Sequence, residues 1–293
     1  MSYSNYEQTV IINGHRLLGV QSVDGNYGIS EKPVQIAGVG FVDALIESPL
    51  QGNFSVSRRM VGSDPLLETN SLGKYVYDEA EIDGVILYDN DTKGFGFTKG
   101  RVSRYSVSCS AGDIPEIQTE ITVYGNLGKD VSKNAATQEA IPIRYPDQAS
   151  MRVTVSDFDI DAISDFSYSR AINTQPVYAL PKGRAEDWDD GQITSPNLDP
   201  IQIDTQYPIE VDINFTIIAD EYEIREIKDR IQAAPKSDVR IDIFDAQAPT
   251  EIINSYVGQN VRLISESIGS TVEGEMTISL TYKGYETRHN PVS

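Results

Sequence analysis

The chain of 293 residues has one cysteine, two histidines and one tryptophan. A lone Cys109 rules out an internal disulfide framework and a multi-cysteine metal site. It lies in an alternating run, 105–109, and reads as a small buried hydrophobe. His15 and His289 stand near opposite ends, outside any motif. The sequence holds no nucleophile elbow, no phosphate-binding glycine loop and no paired-histidine spacing; Gly38 and Gly40 lack the third glycine and the following helix such a loop needs. No catalytic residue, cofactor or metal is therefore expected. Basic residues are scarce too, 24 against 44 acidic, for a net charge of −20. A chain of that sign is not expected to grip nucleic acid through its phosphates or to dock on anionic lipid, although it can keep DNA at a distance by repulsion. No stretch approaches the ~18 apolar residues of a membrane-spanning helix. The first residues carry no basic and apolar leader pattern, so folding in the cytoplasm is expected.

What is present points to strands. Hydrophobic residues make up 39%, enough for packed cores, and the 16 tyrosines accompany many Val, Ile and Thr in short runs broken by Gly, Asp, Asn and Pro. Residues 52–61 alternate, with Phe54, Val56 and Met60 on one face. The apolar run 85–88 reads as a buried strand. Residues 101–110 and 116–124 read as a long hairpin, with Ile117, Thr119, Ile121 and Val123 inward. Strands are also expected at 9–12, 151–155, 157–161, 210–218, 239–244, 261–268 and 273–282. Asp64 followed by Pro65 predicts a short helix or helical loop over 64–72, because an aspartate caps and a proline suits the first turn. The spacing of Ile224, Ile227 and Ile231 predicts a helix over 220–231. Residues 126–150 read as a linker or a loop leading into a strand, and 181–200 as a long loop.

The order of elements repeats. In each half an alternating strand leads to a helical element, then a short apolar strand, then a long hairpin with a glycine at its turn, Gly112 and Gly269. Matching phases place Ile121 with Ile278 and Val123 with Leu280. The length suits two domains, expected as 1–135 and 136–293. Such a repeat signals an array or a pseudo-symmetric assembly.

Two acidic clusters read as structural. Residues 186–191 contain several acids and a glycine but lack the closing glutamate and flanking helices of a calcium-binding hand. Residues 157–161 alternate acid with apolar, as a half-buried strand does. The polar faces of the long strands carry more information. They present Glu116, Gln118, Glu120 and Thr122 in the first half, and Glu210, Asp212, Asn214, Glu273, Glu275 and Thr277 in the second. Ordinary solvated faces mix Lys with Glu; these carry acids and no Lys. They are candidates for a channel wall past which a polyanion slides.

Three segments carry a resemblance to a known family. Residues 104–125 resemble the closing hairpin of bacteriophage tail tube (major tail) proteins, and the opening segment 19–28 and residues 49–58 look similar to that family too. The likeness covers the first 125 residues; the second half joins through the repeat. The resemblance implies a mainly β fold of two similar sandwich or barrel domains, each with a flanking helix and long hairpins that join an inter-subunit barrel. It implies a non-enzymatic, self-assembling virion subunit, put together in the host cytoplasm. Its partners would be further copies of itself, other tail proteins and DNA passing without specific binding, with no membrane. Two domains per chain suggest three chains to a ring; six chains with the second domain outside is the other arrangement. The loop at 29–51 is expected to join ring to ring. A single-ring tail component (terminator or baseplate tube protein) and a carbohydrate-active sandwich are the alternatives.

Overall fold

A computed structural model describes residues 9–28, 31–36, 40–47, 51–67, 75–88, 93–128, 143–156, 158–160, 163–178, 200–219, 236–270 and 276–286. Seventeen strands run through them. They are β1 (Thr9–Ile12), β2 (His15–Leu17), β3 (Val20–Gly28), β4 (Glu31–Ile36), β5 (Gly40–Glu47), β6 (Gln51–Arg59), β7 (Ile82–Tyr88), β8 (Lys93–Ser110), β9 (Glu116–Val123) and β10 (Leu127–Gly128), then β11 (Pro146–Val155), β12 (Phe158–Ile160), β13 (Ile163–Val177), β14 (Gln202–Ala219), β15 (Ser237–Asp245), β16 (Ile252–Ser270) and β17 (Met276–Glu286). The fold is mainly β. Fifteen strands share one antiparallel sheet, and β4 and β5 pair only with each other.

The polar–apolar alternation of the sequence sets which face each strand buries. Along β9 the odd positions, Ile117, Thr119, Ile121 and Val123, are buried while Glu116, Gln118 and Glu120 are exposed. Along β14, Val211, Ile213, Phe215 and Ile217 are buried in the same way. The long strands β8 and β16 each pass from one neighbour to another along their length. The first part of β8 pairs with β7 and its last part with β9; β16 pairs first with β15 and then with β17. Each long strand thereby joins a small outer group, β7-β1-β2 or β15-β11-β12, to a four-stranded set.

Those four-stranded sets are β3-β6-β9-β8 and β13-β14-β17-β16. Their pairing registers agree residue for residue. Val20 opposes Arg58 and, after a bulge, Ser22 opposes Ser57; Ile163 opposes Ile217 and, after a bulge, Asp165 opposes Thr216. Ile12 opposes Gly84 as Val155 opposes Val239. The bulge between Val102 and Arg104 on β8 recurs between Leu263 and Ser265 on β16. Even the backbone exceptions recur. Asn13 and Ser156 have positive φ, as do Lys99 and Asn260. Asp83 and Asp238 organise them identically. The Asn13 N–H donates to the Asp83 carbonyl (2.8 Å) and the Ser156 N–H to that of Asp238 (2.7 Å). The Lys99 N–H donates to the Asp83 carboxylate (3.1 Å) and the Asn260 N–H to that of Asp238 (2.6 Å). A left-handed residue inside a bulge exposes an orphan N–H, and an aspartate side chain satisfies it.

Several expectations change. These registers match Ile117 with Ile278 and Ile121 with Tyr282, four residues from the phase read in the sequence. Of the short helix or helical loop expected at 64–72, the described part holds a 3-10 turn at Pro65–Leu67, with Asp64 capping it as its Oδ1 accepts from the Leu66 N–H (2.9 Å), and 68–72 lie outside the described residues; a second 3-10 turn spans Val76–Asp78. The run at 29–51 holds the ribbon β4–β5. The helix expected at 220–231, most of the loop at 181–200, the acid cluster at 186–191 and the 135/136 boundary lie outside the described residues.

Candidate functional site

The two four-stranded sets meet through main-chain pairing. The last part of β8 pairs with β13, from Asp165 opposite Ser110 to Ala171 opposite Arg104. Eight strands thereby form one run, β3-β6-β9-β8-β13-β14-β17-β16. Side chains fasten this junction. Tyr105 from the first half lies 6.4 Å from Tyr256, which also packs against Tyr168 (5.3 Å) and Phe166 (6.4 Å). Burial raises the pKa of Tyr105, Tyr168 and Tyr256 above the ordinary phenol value. The Tyr105 hydroxyl donates to Asp64 (2.6 Å), which pairs with the buried Arg58 and whose N–H donates to Asn254 (3.0 Å). Arg170 on β13 reaches back to the 3-10 turn at Val76–Asp78. Its guanidinium donates two bonds to Asp78 (2.8 and 2.7 Å) and one to Glu286 (2.6 Å). Burial alone would lower its pKa, but the surrounding Tyr168, Asp78 and Glu286 outweigh that and hold it above its ordinary value.

The outer face of the eight-stranded run carries the candidate residues. Glu116, Gln118 and Glu120 are exposed and Thr122 half-buried; Glu210, Asp212, Asn214 and Thr277 are half-buried. Register brings them together across strands: Gln118 opposes Ser57 and Ser106, Asp212 opposes Ser169, and Asn214 opposes Ser167 and Thr281. Glu273 and Glu275 lie outside the described residues. Tertiary structure also puts cations on this face. Arg59 opposes Glu116, and Arg104 opposes Glu120. Lys283 opposes Asp212 and forms an ion pair with Glu210, a hydrogen bond that raises the lysine pKa. Burial raises the Asp212 pKa against the pull of Lys283. The expectation of acids without lysine therefore gives way to a face of Ser, Thr and Asn with acids partly paired to bases. Those bases come from strands other than the acids' own, so no single-strand pattern could reveal them.

Among the described residues both ends of the run are open: β3 pairs only with β6, and the last part of β16 only with β17. Ile264 and Ile268 are exposed on β16, and Tyr27 on β3. Neither β3 nor β13 was expected as a strand from the sequence. The available signal was faint: alternating Phe166 and Tyr168, interrupted at the next inward position by Arg170.

Among the described residues no three His, Cys, Asp or Glu side chains group closely enough to hold a metal ion. Cys109 is buried, and His15 lies on β2. No protein-family model matches the chain, and no curated protein matches it.

Proposed function

We propose that this chain is a structural subunit of a phage tail tube, carrying two fused tube units. One observation carries the reading: two four-stranded sets with identical registers are already joined edge to edge within one chain by β8 and β13. A sheet with two open edges invites pairing with another chain. Here the edges left open are the equivalents of the two that pair internally, since β3 matches β13 and β16 matches β8. Repeating the internal junction between copies closes the eight-stranded runs into a ring and removes both of their edges. Two units per chain make three chains per ring the expected closure. Rings then stack head to tail into an open-ended tube. The Ser/Thr/Asn and acid face becomes the wall along which DNA slides, because its carboxylates repel phosphates and its cations, Arg59, Arg104 and Lys283, each stand opposite a carboxylate. No catalysis is part of this reading.

Negative-stain electron microscopy of the purified full-length chain tests it. Long tubes of constant width are expected. A chain that stays monomeric at high concentration would sink the reading, and closed single rings would move it to a terminator or baseplate tube role.

A further inference from the structure

We propose that the β4–β5 ribbon of one chain clasps the neighbouring copy within the same ring, lying over Arg262 and Tyr285. The inference rests on the tube reading and specifies its subunit contact.

The internal junction supplies the template. Beyond the β8 pairing, β13 and β14 continue together as a ribbon, Asn173 opposite Gln206 through Val177 opposite Gln202. That ribbon reaches across the end of the first-half set. The buried Arg101 guanidinium donates to the Ile203 carbonyl (2.7 Å), and the Tyr124 hydroxyl shares a hydrogen bond with the Thr174 hydroxyl (2.7 Å). From the other side the Thr205 hydroxyl donates to the Asp78 carbonyl (2.5 Å), and the Tyr207 hydroxyl to Glu79 (2.7 Å).

Register identifies the counterparts of these receiving side chains. Arg101 opposes Thr122 and Arg262 opposes Lys283; two residues further on stand Tyr124 and Tyr285. The same two residue types, Arg and Tyr, occupy the same two places, although Val107, Tyr105 and Phe97 on β8 are replaced by Ile268, Glu266 and Gly258 on β16. Their surroundings differ sharply. Tyr124 is 4% exposed and Tyr285 57%. Arg101 is 6% exposed, while Arg262 is exposed and its side chain forms no ion pair or hydrogen bond among the described residues. Among the described residues the Tyr285 ring has only the Lys283 ammonium near its face, 5.9 Å away. A guanidinium and a phenol placed to grip a ribbon thus stand without one among the described residues.

The missing ribbon exists in the same chain, at the wrong end to reach them. β4 and β5 follow β3 as 173–177 follow the earlier part of β13, and Pro33-Val34 falls where Pro176-Val177 does. Among the described residues β4 and β5 pair as strands only with each other. The second-half ribbon lies on the set that precedes its own in the sheet. The first half has no preceding set within the chain, so its ribbon needs the second half of another copy. The occupant is therefore a second copy of this chain. The contact is lateral and replaces the ring-to-ring role expected for 29–51. The same template sets the strand register between copies, Asn26 opposite Ser267 as Ser169 opposes Ser106.

The test places the photo-crosslinking amino acid p-benzoylphenylalanine at position 285 of the full chain, with assembly followed by electron microscopy and crosslinked peptides mapped by mass spectrometry. The expected product joins position 285 to residues 31–47 of a different chain. In parallel, Arg262→Ala should raise the concentration needed for assembly about tenfold while leaving the monomer's thermal transition unchanged, since a charged hydrogen bond is lost at an exposed site. Tubes that form with position 285 crosslinked to any other segment, or with the Arg262→Ala threshold unmoved, would overturn the clasp alone. A chain that never assembles would overturn the clasp together with the tube reading.

Discussion

Replacing Arg170 with methionine should cut a buried ionic contact that runs from one half of the chain to the other. The Arg170 side chain is 3% exposed and that of Asp78 9%. The guanidinium closes a two-bond fork on Asp78, adds Glu286, and lies 4.2 Å over the Tyr75 ring. Methionine fills much of the volume but supplies no charge, so the Asp78 carboxylate is left buried without its partner. Breaking one side of a buried pair costs about 3–5 kcal/mol. For a chain of this size each kcal/mol moves the midpoint by roughly 2–4 °C, so a fall on the order of 6–20 °C is expected. Glu286, 29% exposed, can turn to water and should add little. The assay is urea and thermal unfolding of Arg170→Met, Asp78→Asn and the double variant under conditions that keep the chain monomeric. The double variant should be less destabilised than the two single effects added, because removing both partners leaves no orphan charge. A single-variant cost below about 1 kcal/mol, or strict additivity, would refute the reasoning that unpaired burial sets the penalty.

Other consequences follow from the repeat, the core and the outer face. Asp83→Ala and Asp238→Ala should each cost about 1 kcal/mol in urea unfolding, since each removes the acceptor for one left-handed residue's N–H; clearly unequal costs would contradict their equivalence. Gly84→Ala should destabilise by about 1–3 kcal/mol because its new methyl would lie 2.3 Å from the Phe97 ring, and adding Phe97→Leu should recover part of that loss if the clash is the cause. Alkaline pH should weaken the fold. Burial, with the Asp113 charge, pushes the Cys109 thiol up from 9.0 to about 11, so its contribution is complete below pH 9 and lost between pH 9 and 11. Burial likewise raises Tyr105, Tyr168, Tyr256 and Tyr282 above 10.0, so theirs is lost as pH rises past 10. Tyrosinate absorbance at 295 nm should show these phenols ionising only with unfolding, and early ionisation would contradict their burial. On the tube reading, Glu116→Lys combined with Thr277→Lys should still give tubes but slow DNA ejection, because added cations hold phosphates; an unchanged ejection rate would remove that face from the DNA path.

The core shows why the repeat is hard to read in residue identities. In the first half Phe97 fills the space that Gly84 and Gly100 leave open, and its ring packs 4.8 Å from Phe54. In the second half the position of Phe97 is Gly258, and Val239 and Val261 stand where the two glycines were. Volume has moved from one strand to its neighbours while the space stays filled. Close packing constrains the sum of side chains, not each one. A position-by-position comparison therefore sees Phe against Gly and Gly against Val. Strand order survived in the sequence because alternation survives such exchanges. Phase did not, and the last strands were matched four residues out.

By itself the sequence determined the β class, the inward faces of β6, β9 and β14, the hairpin of β8 and β9, and the twofold order of the strands. Each of these follows from local alternation and turn residues, which act over a few positions. It also determined the poverty in cysteine, histidine and net positive charge that shapes the function proposed. Tertiary structure alone decided the register, the pairing of β8 with β13, the identity of the open edges and the cations that share the acidic face. Those depend on partners far apart in the chain. β13 in particular is buried by its neighbours through Phe166, Tyr168, Arg170 and Ile172, and an arginine among inward residues reads as polar until Asp78 and Glu286 are seen beside it.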